Sequence, residues 1–139
     1  MEWLIDLLRR HEWLLGAWRA VAWASAAYLV ALGALALMRP AIVRRFFDGF
    51  VRTPAVNLLE ASLRAVAGLA FMGAAPETRL PDPFFWFGAV LAATSIPMAF
   101  LYRFHKRQAA WAAPFAKRVL PLIGVLSVAM GGLVAWGLS

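Results

Sequence analysis

Residues 56–75, VNLLEASLRAVAGLAFMGAA, decide how the chain is read. The run matches the roughly 20 apolar residues that carry a helix across the hydrocarbon of a bilayer. Yet it contains Glu60 and Arg64, opposite charges four positions apart. The pair is either a working site inside the bilayer or only the wet end of a membrane helix, and the rest of the sequence bears on which.

Composition favours the membrane. Of 139 residues 63% are hydrophobic and 15% charged, whereas ordinary globular chains carry about 25% charge. A soluble domain of this length has too little interior to hide so much apolar surface. With no cysteine, disulfide frameworks, zinc–thiolate sites, iron–sulfur clusters and thiol nucleophiles are excluded, and the redox compartment stays undetermined. The start, MEWLID, sets acids ahead of any basic residue and so makes a poor signal peptide. The net charge of +7 does not indicate nucleic acid, because the basic residues lie between apolar spans and not on a soluble face.

The expected architecture is all-α: an integral-membrane four-helix bundle forming a single domain over residues 1–139. Spans are expected at about 18–38, 54–75, 84–102 and 119–138. Residues 1–16 are expected as an interfacial helix, with Trp3, Leu4, Leu7, Leu8 and Leu15 opposed to Glu2, Asp6, Arg9 and Glu12; a continuation of the first span is the alternative. In segment 39–53, Ile42, Phe46 and Phe50 recur every four residues, as do Val43, Phe47 and Val51, with Arg44, Arg45, Asp48 and Arg52 between them. That pattern describes a helix lying in the headgroups.

Orientation follows from the basic residues. Arg39, Arg44, Arg45 and Arg52 flank one connection; Arg103, Lys106, Arg107, Lys117 and Arg118 flank another. These nine are expected to contact anionic headgroups or a partner on the cytoplasmic side, which leaves both termini outside. Arg9, Arg10 and Arg19 near the first span weigh against that orientation. The halves 19–75 and 84–138 repeat the order span, basic aromatic segment, span, and form a weak tandem pair.

Few residues carry chemistry. Glutamate four residues before arginine is the favourable orientation for a helical pair. With the span starting near Pro54, Glu60 lies about 9 Å and Arg64 about 15 Å along the axis. Arg64 is therefore expected to reach back toward the cytoplasm and neutralise Glu60, with Asn57 joining the cluster. A proton relay and a polar clasp on a neighbouring helix are the alternatives. His11 and His105 fall outside the spans and are expected to be solvated. Neither suits a haem or metal at mid-membrane, and no cofactor or metal is expected. Phe84-Phe85-Trp86-Phe87 reads as an aromatic belt. Small residues recur at Ala27-Ala31-Ala34, Ala89-Ala93 and Ser127-Gly131-Ala135, faces for packing within the bundle or for docking another protein. Pro97 is expected to kink the third span.

The passage RPAIVRRFFDGFVRTPAVNLLEASLRAVAGLAFMGAA, with the span before it, resembles small four-helix bacterial inner-membrane proteins of the DoxX-like group. The resemblance covers about residues 19–75 and places Glu60 at that group's early glutamate; the long basic connection of the second half departs from the pattern. No activity is implied. The functional expectation is a non-catalytic accessory or scaffold subunit of a bacterial inner-membrane assembly, not an enzyme, touching lipid and other membrane subunits. A small transporter using Glu60 and Arg64, and an anionic-lipid-binding protein, are the alternatives.

Overall fold

The structure, a computed structural model, describes residues 2–49 and 52–139, the side chains of Glu2 and Glu12 excepted. Among the described residues the fold is all-α. The elements are α1 (Glu2–Arg9), α2 (Glu12–Met38), α3 (Pro40–Gly49), α4 (Pro54–Ala74), a 3-10 turn (Ala75–Glu77), α5 (Pro81–Phe100), α6 (Tyr102–Arg118) and α7 (Leu120–Leu138). α2, α4, α5 and α7 are long and apolar enough to cross a membrane, and together they form the expected four-helix bundle.

Proline sets most of the boundaries. Pro40, Pro54, Pro81 and Pro121 stand in the first turns of α3, α4, α5 and α7. There the missing N–H costs nothing, and the residue ahead is pushed out of helical geometry. Arg39, before Pro40, accordingly leaves the helix at φ −138°, ψ 64°. Thr53 adds a side-chain cap to α4, its hydroxyl accepting from Val56 N–H at 3.2 Å.

Glycine decides which helices pair. α2 lies along α7, and α4 along α5, so each long helix of one half packs on one from the other half. A Cβ placed on Gly33 would lie 2.6 Å from the Gly124 carbonyl oxygen; one on Gly68 would lie 2.6 Å from Ala92 N and 2.7 Å from the Gly88 oxygen. No other residue permits backbones so close. At the end bearing α1 the two pairs share one core, with Ala22 and Ala26 from α2, Phe71 and Met72 from α4, Phe84 and Phe85 from α5, and Val134 and Leu138 from α7. Phe71 meets Phe87 edge-on, ring centres 5.2 Å apart. Toward the other end the buried residues divide into separate sets: Ala36, Val43 and Leu120 join α2, α3 and α7, while Asn57, Ala61, Ser95 and Met98 belong to α4 and α5.

Several expectations are corrected. The interfacial helix is shorter than residues 1–16: it stops at Arg9, and residues from Glu12 onward already belong to α2. It caps the bundle, with Leu4, Ile5 and Leu8 against the shared core. Of the small-residue faces, Ser127-Gly131-Ala135 does turn into the bundle, where a Cβ on Gly131 would lie 2.8 Å from the Ala26 oxygen. Ala27, Ala31 and Ala93 are exposed instead, and Ala34 and Ala89 only half-buried. The packed face of α2 runs through Ala22, Ala26, Gly33 and Ala36, and that of α5 through Gly88, Ser95 and Met98. Pro97 lies inside α5, as expected, in its last turn beside the break at Leu101. The second basic connection is the helix α6, with Pro114 inside it.

Candidate functional site

The two basic connections meet at one end of the bundle. Lys117 of α6 forms a salt bridge with Asp48 of α3, and the Tyr102 hydroxyl lies 3.4 Å from the Arg52 carbonyl oxygen. Arg39, Arg44, Arg45, Arg52, Arg103, Lys106, Arg107, Lys117 and Arg118 are thereby gathered at that end, with Asp48 the sole acid of the two segments. Val43 of α3 is buried and Phe47 half-buried, as the amphipathic pattern requires, whereas Ile42 and Phe46 face outward. Phe50 and Val51 lie outside the described residues. α6 turns Tyr102, His105, Ala109, Ala113 and Ala116 inward and leaves Phe104, Trp111 and Phe115 exposed, Trp111 at 84%.

The opposite end is tied by pairing. Glu77 accepts from Arg9 at 2.7 Å and lies 3.7 Å from Arg19. Arg19 also donates to the Leu138 carbonyl at 3.0 Å, and Arg79 N–H to that of Gly137 at 2.8 Å, closing the end of α7. The Trp18 indole donates to the Leu8 carbonyl at 2.7 Å, fixing α1. Two of the arginines that weighed against the expected orientation are thus held by an acid.

Between these ends lies the polar group of α4, and the structure arranges it differently from the sequence reading. Arg64 donates through Nε to Thr94 Oγ1 of α5 at 3.1 Å. The threonine hydroxyl in turn donates to the Val90 carbonyl at 2.7 Å. Glu60 lies within electrostatic reach of Tyr28 on α2. Arg64 thus makes its hydrogen bond across to α5, where the expectation had it reach back to the glutamate one turn earlier. Asn57 is buried and donates through Nδ2 to the Met98 carbonyl at 2.7 Å, serving one of the last carbonyls of α5. Its Oδ1 is buried without a hydrogen-bond partner among the described residues.

Arg64 and Thr94 line a recess of about 300 Å³ between α4, α5 and α6, together with Pro97, Phe104, His105 and Gln108. His105 is the main departure from expectation: it is half-buried, not solvated. Burial first, and the Arg64 guanidinium second, hold its imidazole below the usual histidine value. His11 is exposed, stacked on Trp13 at 6.4 Å. Sequence reading missed Thr94 and Gln108, and left His105 in solvent, because all three lie far along the chain from Arg64. The available signal was the helical spacing of Tyr102, His105 and Ala109, which sets the histidine on the inward face of α6.

A second, apolar groove of about 200 Å³ separates α2 from α3 and is lined by Tyr28, Ala31, Leu35, Ile42 and Phe46. Among the described residues, no group of three or more histidine, cysteine, aspartate or glutamate side chains comes together to hold a metal ion. The fold and site thus define a helical membrane bundle with a basic end. No protein-family model, curated protein or solved structure matches the chain. The resemblance of residues 19–75 to DoxX-like proteins therefore rests on those residues alone.

Proposed function

We propose that this chain is a non-catalytic accessory or scaffold subunit of a bacterial inner-membrane assembly, seated with its basic end in the cytoplasmic leaflet. The observation that carries the reading is the exposure of Ala27 and Ala31 on α2, whose opposite small-residue face is already taken by α7. In lipid, hydrophobicity does not draw helices together; close backbone approach over small residues does. An exposed face of this kind fits a helix from another subunit. Mild-detergent extraction from native membranes tests it. Co-isolation with a larger assembly, lost in an Ala27→Leu/Ala31→Leu variant, supports the reading, and a chain that migrates alone in both forms removes it.

The charge distribution supports the orientation. One end carries nine basic residues against Asp48. The other balances Arg9, Arg10, Arg19 and Arg79 against Glu2, Asp6, Glu12, Glu77 and Asp82. Because the chain has no cysteine, single cysteines at Ser139 and at Arg107, probed with an impermeant thiol reagent on intact cells, report sidedness directly. Labelling at position 107 but not at 139 reverses the assignment.

A second reading, binding of anionic lipid by the basic end, is favoured by the exposed aromatic face of α6 beside Arg107 and Arg118. Each basic residue near an anionic surface contributes up to about 1 kcal/mol. Retention of phosphatidylglycerol during delipidation, abolished by neutralising α6, distinguishes this reading from the first.

A further inference from the structure

We propose that the recess between α4, α5 and α6 holds the phosphate group of a phospholipid, with the Arg64 guanidinium as its main cation and Gln108 and His105 as further donors. The site is separate from the α2 face invoked above and does not depend on a partner subunit.

Four observations carry it. First, the recess is chemically one-sided: Arg64, Thr94, His105 and Gln108 supply its polar wall, and none of its lining residues is acidic. Second, the guanidinium is held in place. Its Nε is fixed by Thr94 Oγ1, whose own proton is directed to the Val90 carbonyl. Fixing Nε fixes the plane of the fork, and the terminal nitrogens of such a fork match two phosphate oxygens at once. Third, two cationic or protonatable groups, Arg64 and His105, face each other closely enough to interact, an arrangement that an intervening anion relieves. The charge facing His105 from α4 is Arg64, and α5 contributes Thr94 to that wall. On α6 itself Arg103, Lys106 and Arg107 are neighbours in sequence. Glu60, one turn earlier on α4, lies within electrostatic reach of Tyr28 on α2 and is not among the residues that line the recess.

The fourth observation selects a lipid over a free ion. Phe104, part of the lining, is 58% exposed, and Phe100 and Leu101 at the adjoining helix break are 82% and 53% exposed. They offer acyl chains an apolar approach beside the polar recess. At about 300 Å³ the recess lies at the small end of the roughly 300–1,000 Å³ range of ligand sites, a size for a headgroup and not for a whole lipid.

The test uses the full chain in maltoside micelles, which contain no phosphate, with the His105 imidazole followed by NMR as pH is varied. Adding short-chain phosphatidylglycerol is expected to raise the His105 pKa saturably, by about one unit, since an opposite charge within a few ångströms favours the protonated ring. Arg64→Gln should abolish the shift, Thr94→Val should weaken the lipid's half-saturation several-fold, and Arg10→Gln, exposed at the opposite end, should preserve it. A shift reproduced by inorganic phosphate at the same concentration makes this an ion site and overturns the lipid assignment. Equal losses in Arg64→Gln and Arg10→Gln, or no shift with any additive, overturn the site itself. Tryptophan emission confirms that each variant is folded, and Arg64→Lys, which keeps the charge, is expected to retain a weaker, still saturable response.

Discussion

Replacing Gly68 with alanine tests the packing argument at its tightest point. The new Cβ would stand 2.6 Å from Ala92 N and 2.7 Å from the Gly88 oxygen, about 0.8 Å short of the 3.4 Å at which ordinary contact begins. Both obstacles are backbone, so no side-chain rotation relieves them, and α4 and α5 must separate. Overpacking of this kind costs about 1–3 kcal/mol. A gap of 0.5–1 Å elsewhere along the pair also forfeits roughly a quarter to a half of each dispersion contact. Gly132 is the internal control. It too lies within a helix, but a Cβ there meets nothing within 4 Å, so Gly132→Ala keeps only the helix-propensity gain of up to about 1 kcal/mol. Gly68 stands in a helix as well, so the propensity gain cancels between the two positions and the variants should differ by the overpacking cost, about 1–3 kcal/mol, with Gly68→Ala the less stable. Titration of maltoside-solubilised protein with SDS, followed by tryptophan fluorescence, measures both. A Gly68→Ala variant as resistant as Gly132→Ala would refute the claim that glycine sets the α4–α5 pairing.

Three further outcomes follow from individual contacts. Asn57→Ala removes the bond to the Met98 carbonyl but also the buried, unserved Oδ1; interhelical bonds of this kind average about 0.6 kcal/mol in membranes, so SDS titration should show a loss near 1 kcal/mol or less. Glu77→Gln frees Arg9 and Arg19 at a partly exposed site, and should cost no more than about 1 kcal/mol, fading as salt is raised. His105 has a folded-state pKa lowered from 6.5. The unfolded chain therefore binds the proton first, and stability contributed at this position is present above pH 6.5 and is lost as pH falls through the folded value. A His105→Gln variant should flatten that part of the pH profile, and an unchanged profile counts against the burial of this ring.

The spans were legible because two strong rules act on them, the thickness of the hydrocarbon and the exclusion of helix by proline. Pro40, Pro54 and Pro81 therefore mark real boundaries, and the second span runs from Pro54 to Ala74 as its apolar length required. The amphipathic repeat of α3 was legible in part, since Val43 and Phe47 do turn toward the bundle while Ile42 and Phe46 of the parallel series face outward. Face selection was not legible. α2 carries small residues all round, so Ala27 and Ala31 were as attractive a face as Ala22 and Ala26, and only the partner's shape chooses between them. The sharper signal was glycine: Gly33, Gly68, Gly88, Gly124 and Gly131 all stand where a Cβ would strike a neighbouring helix's backbone. Arg64 illustrates the same limit for charge. Spacing along one helix offered Glu60, but a long side chain also samples other helices, and Thr94 came within reach only once α4 and α5 had paired.

The division of the buried residues has a consequence for how such a chain can change over generations. Where four helices share one interior, around Phe71, Phe84 and Leu138, a substitution is felt by every span at once. Where the helices are packed only in sets, around Val43 and Leu120 or Asn57 and Met98, a replacement has fewer neighbours to satisfy. Tolerance to substitution should then rise along the membrane normal, from the α1 end toward the basic end. New specificities would accumulate at the basic end, while the α1 end preserves the fold. A saturation library scored for membrane insertion and abundance measures that gradient, and uniform tolerance at buried positions of both ends would contradict it.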